Sequence, residues 1–238
     1  MNIALIGYGK MGKTIERIAL QRGHKIVCKI DIENLQMFDS EEFKSADIAI
    51  EFTSSQVAEQ NVRKCFERGK AVVCGTTGWT ERLSVLKKEI NERGYTLFWA
   101  SNFSLGVNIF FALNAYLAKI MNNFPSYDVM LEEVHHVHKQ DAPSGTAITL
   151  AENILQQIDR KKTWVHESAK NPDEIAIFSI REGEVSGIHS ILYESGVDSI
   201  ILTHEAKNRD GFALGAVVAA EFTLGKKGLF GMNDIMKF

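Results

Sequence analysis

The sequence has few cysteines, and their spacing does not suggest a cross-linked framework. Its three cysteines are Cys28, Cys65 and Cys74, and no two of them have the Cys-x-x-Cys spacing of a redox or zinc site. Because the number is also odd, we do not expect structural disulfides. We expect free thiols in a reducing compartment instead.

An excess of positive charge is also lacking. The formal net charge of the 238 residues is −3 at pH 7, whereas proteins that bind nucleic acid or anionic membranes usually carry a basic surplus. The opening MNIALIGYG has no basic segment and no small-residue cleavage site, and its apolar run is too short to cross a bilayer. We therefore expect a soluble cytoplasmic protein with no nucleic-acid partner and no membrane partner.

Residues 1–104 alternate between short apolar runs and amphipathic segments. We predict strands over residues 2–6, 25–30, 47–53, 71–77 and 95–100, and helices over 11–22, 55–68 and 80–93. The strand runs are largely apolar, which is typical of strands buried on both faces of a parallel sheet. This alternation predicts an α/β fold with a Rossmann-like, doubly wound parallel sheet.

The pattern changes after about residue 104. We predict a helix over 106–121, a strand over 127–136, a helix over 146–160, strands over 174–181, 184–194 and 197–207, and a helix over 211–224. The last three strands are joined by short glycine-containing segments, which indicates an antiparallel meander. We therefore predict a first domain over 1–104, completed by 209–238, and a second α+β domain over 105–208 with a mostly antiparallel sheet.

The strand predicted over 174–181 is apolar on both faces. Ile175 and Ile177 point to one face, and Ala176, Phe178 and Ile180 point to the other. A sheet with one wet face should alternate apolar and polar residues. Helices of the same domain can cover one face, so we expect subunit association through the other. A long loop or the second helix over that face is the alternative.

A glycine-rich turn joins the first predicted strand to the first predicted helix with the spacing G-x-G-x-x-G. In this motif the glycines permit a tight turn, a close approach of the backbone to a pyrophosphate, and helix packing on the strand. The helix N-terminus then attracts the phosphates. The six residues are Gly7, Tyr8, Gly9, Lys10, Met11 and Gly12. We predict a nicotinamide dinucleotide site; an ordinary βα turn is the alternative.

Two further segments follow predicted strands at the same edge of the sheet. Because ligands of open α/β sheets bind beyond the carboxyl ends of the strands, we expect both segments to face the nicotinamide half of the cofactor. Phe103 is a candidate to pack near the ring. The candidates are Gly75, Thr76 and Thr77 after the fourth strand, and Ala100, Ser101, Asn102 and Phe103 after the fifth.

The most informative stretch runs from Glu132 to Ala147. Three histidines, His135, His136 and His138, and one lysine, Lys139, fall within five residues. A histidine can donate a proton near neutral pH, and a nearby lysine can bind a carboxylate or donate a proton itself. Two alternatives remain: a solvated strand end, and a metal site in which His136 and His138 share one strand face. We favour proton chemistry and predict no metal.

The same stretch continues into the sequence Pro143-Ser144-Gly145-Thr146. Ser144 suits the N-cap of a helix, and the first N–H groups of that helix, those of Gly145 and Thr146, form an anion site. Both interpretations can hold together. They indicate a small substrate that bears carboxylates.

The run E-x-H-H-x-H-K-x-D-A-P-S-G-T-A at 133–147 resembles the signature of the dihydrodipicolinate reductase family, also called 4-hydroxy-tetrahydrodipicolinate reductases. The N-terminal fingerprint, EFT at 51–53, GTTG at 75–78, SNFSLGVN at 101–108 and GLFGM at 228–232 resemble that family in the same order. The resemblance covers nearly the whole chain. It implies that His135 is the general acid/base and Lys139 a second proton donor.

The resemblance also implies that His136, Gly145 and Thr146 hold the substrate carboxylates, and that Arg209 is a more loosely aligned contact. In the implied reaction, hydride passes from the nicotinamide to an unsaturated cyclic dicarboxylate formed by loss of water. Protonation of the resulting enamine carbon then gives tetrahydrodipicolinate, in lysine and diaminopimelate biosynthesis. Family members are usually tetramers joined through the C-terminal sheets, which implies a homotetramer here.

The sequence departs from the family pattern in two places. The segment 31–46 is short and lacks an obvious full helix, and Val137 stands where the family often has arginine. Two other functions remain open: another two-domain NAD(P)-dependent dehydrogenase, and a nucleotide sensor without turnover. The histidine-lysine run speaks against both.

The choice of cofactor gives the first testable prediction. Asp31 ends the second predicted strand, 19 residues beyond Gly12, where an acid bonds the ribose hydroxyls. Its charge repels the 2′-phosphate of NADPH, and the next residue is Ile32 rather than arginine. We therefore predict a lower Michaelis constant for NADH than for NADPH. A clear preference for NADPH in steady-state assays would contradict this assignment.

Overall fold

The computed structural model describes residues 1–79 and 83–236. The chain divides into two compact units: unit 1 comprises Met1–Leu105 and Arg209–Phe238, and unit 2 comprises Gly106–Asn208. Within the described residues, no helix is long and apolar enough to span a membrane. The three cysteines are buried free thiols, and burial raises the pKa of each one, so none is poised as a nucleophile.

Unit 1 is built on a parallel sheet, as the β-α alternation predicts. Short runs such as NIALI and AVVC form these strands because their apolar side chains are covered on both faces. The strand order within the described residues is β11-β5-β4-β3-β1-β2. The strands are β1 (Asn2–Ile6), β2 (Lys25–Ile30), β3 (Ile48–Glu51), β4 (Ala71–Cys74), β5 (Thr96–Trp99) and β11 (Gly228–Phe230).

Helices cover this sheet, and their apolar residues form separate cores on its two faces. The helices are α1 (Lys10–Gln21), α2 (Glu41–Lys44), α3 (Ala58–Glu67), α4 (Leu83–Arg93), α7 (Asp210–Thr223) and α8 (Met232–Met236), with a 3₁₀-helix at Leu35–Asp39. Helix α7 packs beside α1, where the Arg22 guanidinium donates two hydrogen bonds of 2.8 Å to Glu221. The segment 31–46 thus holds two short helices in place of one full helix. A helix was predicted over 80–93, and its residues 80–82 lie outside the described residues.

Unit 2 packs helices α5 (Leu105–Met121) and α6 (Gly145–Leu155) on one face of a second sheet. Leu150, Ile154, Ile175, Ile177 and Ile191 are fully buried in its core. The strand order is β10-β9-β6-β8-β7. The strands are β6 (Asp128–His135), β7 (Thr163–His166), β8 (Glu174–Arg181), β9 (Ile188–Glu194) and β10 (Ser199–Glu205).

The predicted meander of three consecutive strands is wrong in its first step. β9 and β10 form an antiparallel hairpin, but β6 lies between β8 and β9 and pairs parallel with β8. The segment 182–187 crosses the end of β6, where the N–H of His136 donates to the carbonyl of Val185 and the N–H of Glu182 donates to the carbonyl of His135. The glycines of this segment are also typical of hairpin turns, which explains the wrong prediction. β7, which was not predicted, pairs parallel with β8, so the second sheet is mixed.

These features confirm the predicted fold class: a parallel sheet covered by helices, and a second unit with its own sheet and helices. Element boundaries differ by several residues. The strand predicted over 184–194 begins at Ile188, and the helix predicted over 146–160 ends at Leu155. The outer face of the second sheet has no helix in unit 2, and Met130, Ile180 and Ile201 are exposed.

A glycine in α7 provides a stability test. A Cβ at Gly215 would lie 1.7 Å from the carbonyl oxygen of Phe103, so Gly215→Ala must displace α7 from the buried end of the segment after β5. We predict that this substitution lowers the free energy of unfolding by about 1–3 kcal/mol or more, as measured by thermal and denaturant unfolding.

Gly211, in the first turn of the same helix, is the matched control. A Cβ at Gly211 would meet only the Ser104 hydroxyl at 3.6 Å, and alanine favours the helix over glycine. Gly211→Ala should therefore leave stability unchanged or slightly raised. Equal stability of the two variants would contradict the close packing of α7.

Candidate functional site

The glycine-rich turn lies at the carboxyl end of β1 and leads directly into α1. Gly7 has φ +89°, and a Cβ there would lie 2.1 Å from the carbonyl oxygen of Phe52; a Cβ at Gly12 would lie 2.2 Å from the carbonyl oxygen of Gly7. Both positions therefore require glycine for packing. A Cβ at Gly9 would meet nothing within 4 Å. Gly9 is thus the position at which the bare backbone faces open space, as close approach of a pyrophosphate requires.

Two cavities adjoin this turn in unit 1. The first, of about 480 Å³, is lined by the turn and by the ends of β3 and β4. Its lining residues include Gly9, Lys10, Met11, Gly12, Gly75, Thr76 and Thr77. Phe52, which the prediction of site residues omitted, lines both cavities. A Cβ at Gly75 would lie 2.1 Å from the Phe52 ring, so that glycine is what admits the ring.

A buried carboxylate fixes the loops that line the first cavity. Glu51, the last residue of β3, has no exposed surface. It accepts hydrogen bonds from the hydroxyls of Thr76, at 2.7 Å, and Thr53. The Thr76 hydroxyl in turn accepts from the N–H of Thr53 at 2.9 Å. The loops after β3 and β4 are therefore joined through one side chain.

The second cavity, of about 450 Å³, contains Asp31 at the carboxyl end of β2. The Asp31 carboxylate accepts from the N–H of Tyr8 at 3.2 Å and from the N–H of Ile32 at 2.9 Å, which holds it beside the glycine-rich turn. Leu35 and Lys64 also line this cavity and were not predicted. Leu35 lies in the short 3₁₀-helix, whose sequence carries no clear periodic signal.

The residues after β5 have different environments. Ser101 is exposed, whereas Ala100 is largely buried and Asn102 is partly so; the Asn102 side-chain oxygen accepts from the N–H of Ser104 at 2.9 Å. The Phe103 side chain is 2 % exposed and packs against Phe52, at 5.6 Å between ring centroids. The aromatic ring at the cavity wall is therefore that of Phe52, with Phe103 behind it.

In unit 2, the carboxyl end of β6 places a carboxylate between two imidazoles. Glu133 and His135 point to the same face of the strand because they are two residues apart, and His189 of β9 is paired opposite Glu133. Glu133 Oε2 lies 3.4 Å from His135 Nδ1 and 3.6 Å from His189 Nε2. All three side chains are buried. Neither Glu133 nor His189 was among the predicted site residues.

The other oxygen of this carboxylate is heavily hydrogen-bonded. Glu133 Oε1 accepts from the N–H of Ser144 at 3.0 Å, the Ser179 hydroxyl at 2.9 Å and the Arg181 guanidinium at 3.3 Å. Burial alone would raise the pKa of Glu133. The contacts with His189, Ser144 and Ser179 outweigh burial and hold the pKa well below its usual range, so the group is an anion at neutral pH.

The pKa of His135 is lower than that of a solvent-exposed histidine. Burial, together with the neighbouring His189, Lys139 and Arg181, lowers its pKa to about 4, although Glu133 acts in the opposite direction. Its imidazole is therefore uncharged at neutral pH when nothing is bound. Within the part of the chain that the structure describes, His135 Nδ1 and Glu133 Oε2 are buried without a hydrogen-bond partner.

The remaining residues of the run have contacts of their own. Lys139 donates to both oxygens of Asp141 at 2.8 and 2.9 Å, and the Arg181 guanidinium fixes the loop by donating to the carbonyl of Asp141 at 2.7 Å. His136 is half-buried. His138 is exposed and its Nε2 lies 3.1 Å from Glu184. His138 thus has a carboxylate partner of its own, outside the buried cluster.

Ser144 caps α6 as predicted from the sequence. Its hydroxyl oxygen accepts from the N–H of Ala147 at 3.2 Å. The N–H groups of Gly145 and Thr146 begin the helix, where no intrahelical acceptor is available. A Cβ at Gly145 would meet nothing within 4 Å, so this helix end, like Gly9, has open space where a ligand could approach.

The composition of the buried cluster also fits a metal site. One ligand atom from each of Glu133, His135 and His189 lies within 4.8 Å of the others, and two imidazoles with a carboxylate can bind zinc. The Arg181 guanidinium already neutralises the same carboxylate at 3.3 Å. That fixed positive charge disfavours a divalent cation and favours proton handling.

Arg209 is not brought to this cluster within one unit. It is an exposed residue at the start of α7 in unit 1, whereas His135 and Ser144 belong to unit 2. The predicted residues thus form two groups: the cofactor candidates in unit 1 and the histidine, lysine and cap residues in unit 2.

Two family models match consecutive parts of this chain. The family model described as "Dihydrodipicolinate reductase, N-terminus" matches residues 1–103, and that described as "Dihydrodipicolinate reductase, C-terminus" matches residues 106–236. The 4-hydroxy-tetrahydrodipicolinate reductase of Christiangramia forsetii is 48 % identical over 99 % of this chain and 98 % of its own length. That of Archaeoglobus fulgidus is 34 % identical over the full length of both chains.

Solved structures show the same fold at low identity. A dipicolinate-bound dihydrodipicolinate reductase from Paenisporosarcina superposes with a TM-score of 0.78, covering 99 % of both chains at 21 % identity. A probable dehydrogenase from Thermotoga maritima has a TM-score of 0.59, covering 98 % of this chain and 92 % of its own at 10 % identity. Both likenesses concern the fold alone.

The environment of His135 predicts its titration. We expect NMR to give its free imidazole a pKa of about 4, with the signal assigned by its loss in His135→Gln. Because the folded pKa is lower than that of the unfolded chain, about 6.5, the unfolded state binds more protons in this window. His135 should therefore contribute a loss of stability as pH falls from about 6.5 to about 4. A measured pKa at or above 6.5 would contradict the buried placement.

Proposed function

This chain belongs to the dihydrodipicolinate reductase family, and we propose that it reduces 4-hydroxy-tetrahydrodipicolinate to tetrahydrodipicolinate with NAD(P)H and with loss of water, in lysine and diaminopimelate biosynthesis. The proposed roles of individual residues rest on one observation: Glu133 and His135 form a pair beside the capped end of α6. It combines a proton-transfer group with a helix end suited to carboxylates.

Unit 1 supplies the cofactor site in this proposal. The backbone from Gly7 to Gly12 and the start of α1 hold the pyrophosphate, and Asp31 bonds the ribose hydroxyls. The loops fixed by Glu51, with Thr76 and Thr77, line the nicotinamide side together with residues 100–103. The bound NAD(P)H supplies the hydride. The negative charge of Asp31 supports a preference for NADH.

Unit 2 supplies the substrate site. The N–H groups of Gly145 and Thr146 receive one carboxylate, with Ser144 ordering the helix end. Lys139 provides positive charge for the other carboxylate, and Lys139 and His136 both provide hydrogen-bond donors. Lys139 is held by Asp141 in the free protein, so a dicarboxylate competes with Asp141 for the ammonium group. Arg209 is a further proposed carboxylate contact.

His135 is the proposed proton donor to the enamine carbon. Its low pKa in the free protein makes the imidazole neutral, and a doubly negative substrate nearby stabilises the imidazolium form. Opposite charges within about 4–6 Å typically shift a pKa by about 1–3 units. Binding of the dicarboxylate therefore raises the pKa of His135 from about 4 toward the neutral range, which favours the protonated acid that the reaction uses. Lys139 is the second donor.

We also propose a homotetramer in the cytoplasm. The outer face of the second sheet carries Met130, Leu192 and Ile201 at paired positions of three neighbouring strands. Ile180 and Phe178 extend it on β8. These apolar residues on a sheet face that no helix of unit 2 covers support association with other copies.

The direct test of the proposed function is oxidation of NADH, followed at its absorbance, with the condensation product of pyruvate and aspartate semialdehyde as substrate. His135→Gln should lower kcat by about 10²–10⁴-fold and leave the affinity for NADH nearly unchanged. Lys139→Ala should lower kcat and raise KM for the substrate. The exposed His138→Gln is the matched control and should retain most activity.

Three outcomes would contradict this assignment. Binding of NADH without its oxidation would indicate a nucleotide sensor. Turnover of a different substrate only would indicate another dehydrogenase. Near-normal turnover by His135→Gln would mean that the acid is assigned to the wrong residue.

The association of subunits is tested separately. We predict that Ile180→Lys combined with Ile201→Lys places charges on the outer face of the sheet and dissociates the tetramer in sedimentation or light-scattering measurements. Val197→Lys is the control, because Val197 is 89 % exposed in the turn between β9 and β10. An unchanged mass for the double variant would contradict an interface on this face.

A further inference from the structure

We propose that Glu133 is the positioning residue that fixes the tautomer of His135, placing the hydrogen on Nδ1 and leaving Nε2 as the atom that receives and delivers the catalytic proton. The proposal rests on the proposed function for the identity of the reaction. It assigns a role to a side chain that does not itself touch the substrate.

The orientation of the Glu133 carboxylate is fixed by its surroundings. Oε1 is held by donors from three separate segments: the N–H of Ser144, the hydroxyl of Ser179 and the guanidinium of Arg181. These contacts leave Oε2 to face the imidazoles. The side chain has no exposed surface, so no bulk water competes for either oxygen.

An ionised carboxylate oxygen can only accept hydrogen bonds. The nitrogen of His135 that faces it at 3.4 Å is Nδ1, so the favoured neutral tautomer is the one that carries hydrogen on Nδ1. Nε2 then has the free lone pair. This is the same logic by which a buried carboxylate orients the histidine of a hydrolase triad.

The surroundings of Nε2 agree with a role for that atom. Gly187, just before β9, has φ +149°, and a Cβ there would lie 3.0 Å from His135 Nε2. The absence of a side chain at Gly187 keeps that side of the ring uncrowded. On the other side of the carboxylate, His189 Nε2 lies 3.1 Å from the Ser144 hydroxyl. Glu133 thus connects the proton donor, a second histidine and the cap of α6.

Nitrogen-15 NMR of histidine-labelled protein tests the tautomer without any turnover. At neutral pH the wild-type His135 should show the Nδ1-protonated form, assigned by its loss in His135→Gln. In Glu133→Gln, an amide N–H₂ group can face Nδ1, so the population should shift toward the Nε2-protonated form. Glu132→Gln is the matched control, because Glu132 is the exposed neighbour on the opposite face of β6; it should leave the tautomer unchanged.

The pH profile of turnover tests the consequence for catalysis. Glu133 raises the pKa of His135 and His189 lowers it. Glu133→Gln should therefore move the limb on which kcat falls with rising pH toward lower pH, and His189→Gln should move it toward higher pH. At neutral pH we expect kcat of Glu133→Gln to fall by about 10²-fold or more, with little change in KM. A purely structural role would not produce opposite shifts.

The outcomes separate this proposal from the proposed function. An Nε2-protonated His135 in the wild type, or an unchanged tautomer in a folded Glu133→Gln variant, would overturn the role of Glu133 whatever the activity. If Glu133→Gln does not fold, judged by thermal melting and NADH binding, the wild-type tautomer and the His189→Gln profile still decide. A wild type that shows the expected tautomer but never oxidises NADH would overturn the function and leave the pairing of Glu133 with His135 intact.

Discussion

The arrangement of unit 2 depends on one carboxylate that is completely removed from water. Transfer of an ionised group to the protein interior is unfavourable unless hydrogen bonds and opposite charge replace its hydration. Glu133 meets this condition through Ser144, Ser179 and Arg181. Satisfying the charge therefore brings the end of β6, the cap of α6 and strand β8 together. The histidine and the anion-binding helix end become neighbours as a consequence.

Unit 1 uses a comparable device at the carboxyl end of β3. Glu51 is also fully buried, and its oxygens accept from the hydroxyls of Thr53 and Thr76. The loops after β3 and β4 are thereby fixed around the first cavity. Close packing adds to this rigidity, since Gly7 and Gly75 admit the backbone and ring of Phe52. Each half of the proposed reaction is thus served by loops that an internal carboxylate holds in place.

Much of this was accessible from the sequence because it depends on local patterns. The strands of unit 1 are short apolar runs, and the fingerprint from Gly7 to Gly12 depends on sterics that glycine spacing reveals directly. The capped helix after Ser144 follows from the known preference of serine for the N-cap. The histidine-lysine run was conspicuous because residue types that carry chemistry were clustered over a few positions.

The rest depends on pairings that local patterns do not encode. The segment 182–187 has the glycines of a hairpin, yet it crosses the end of β6, so β8 and β9 are not neighbours. His189 reaches Glu133 only through that strand order and register. Phe52 is likewise a cavity-lining residue only because β3 and β4 are adjacent. The low pKa of His135 follows from its burial, which no spacing of residues in the run predicts.

The ionisation of Glu133 is the central claim, and carbon-13 NMR of glutamate-labelled protein measures it directly. Glu133→Gln identifies the carboxyl resonance. The contacts of Glu133 predict that this resonance keeps the chemical shift of an ionised carboxylate at a pH at which a glutamate with the ordinary pKa of about 4.3 is protonated. A Glu133 carboxyl that is protonated at neutral pH, or that titrates together with the exposed glutamates, would contradict the account.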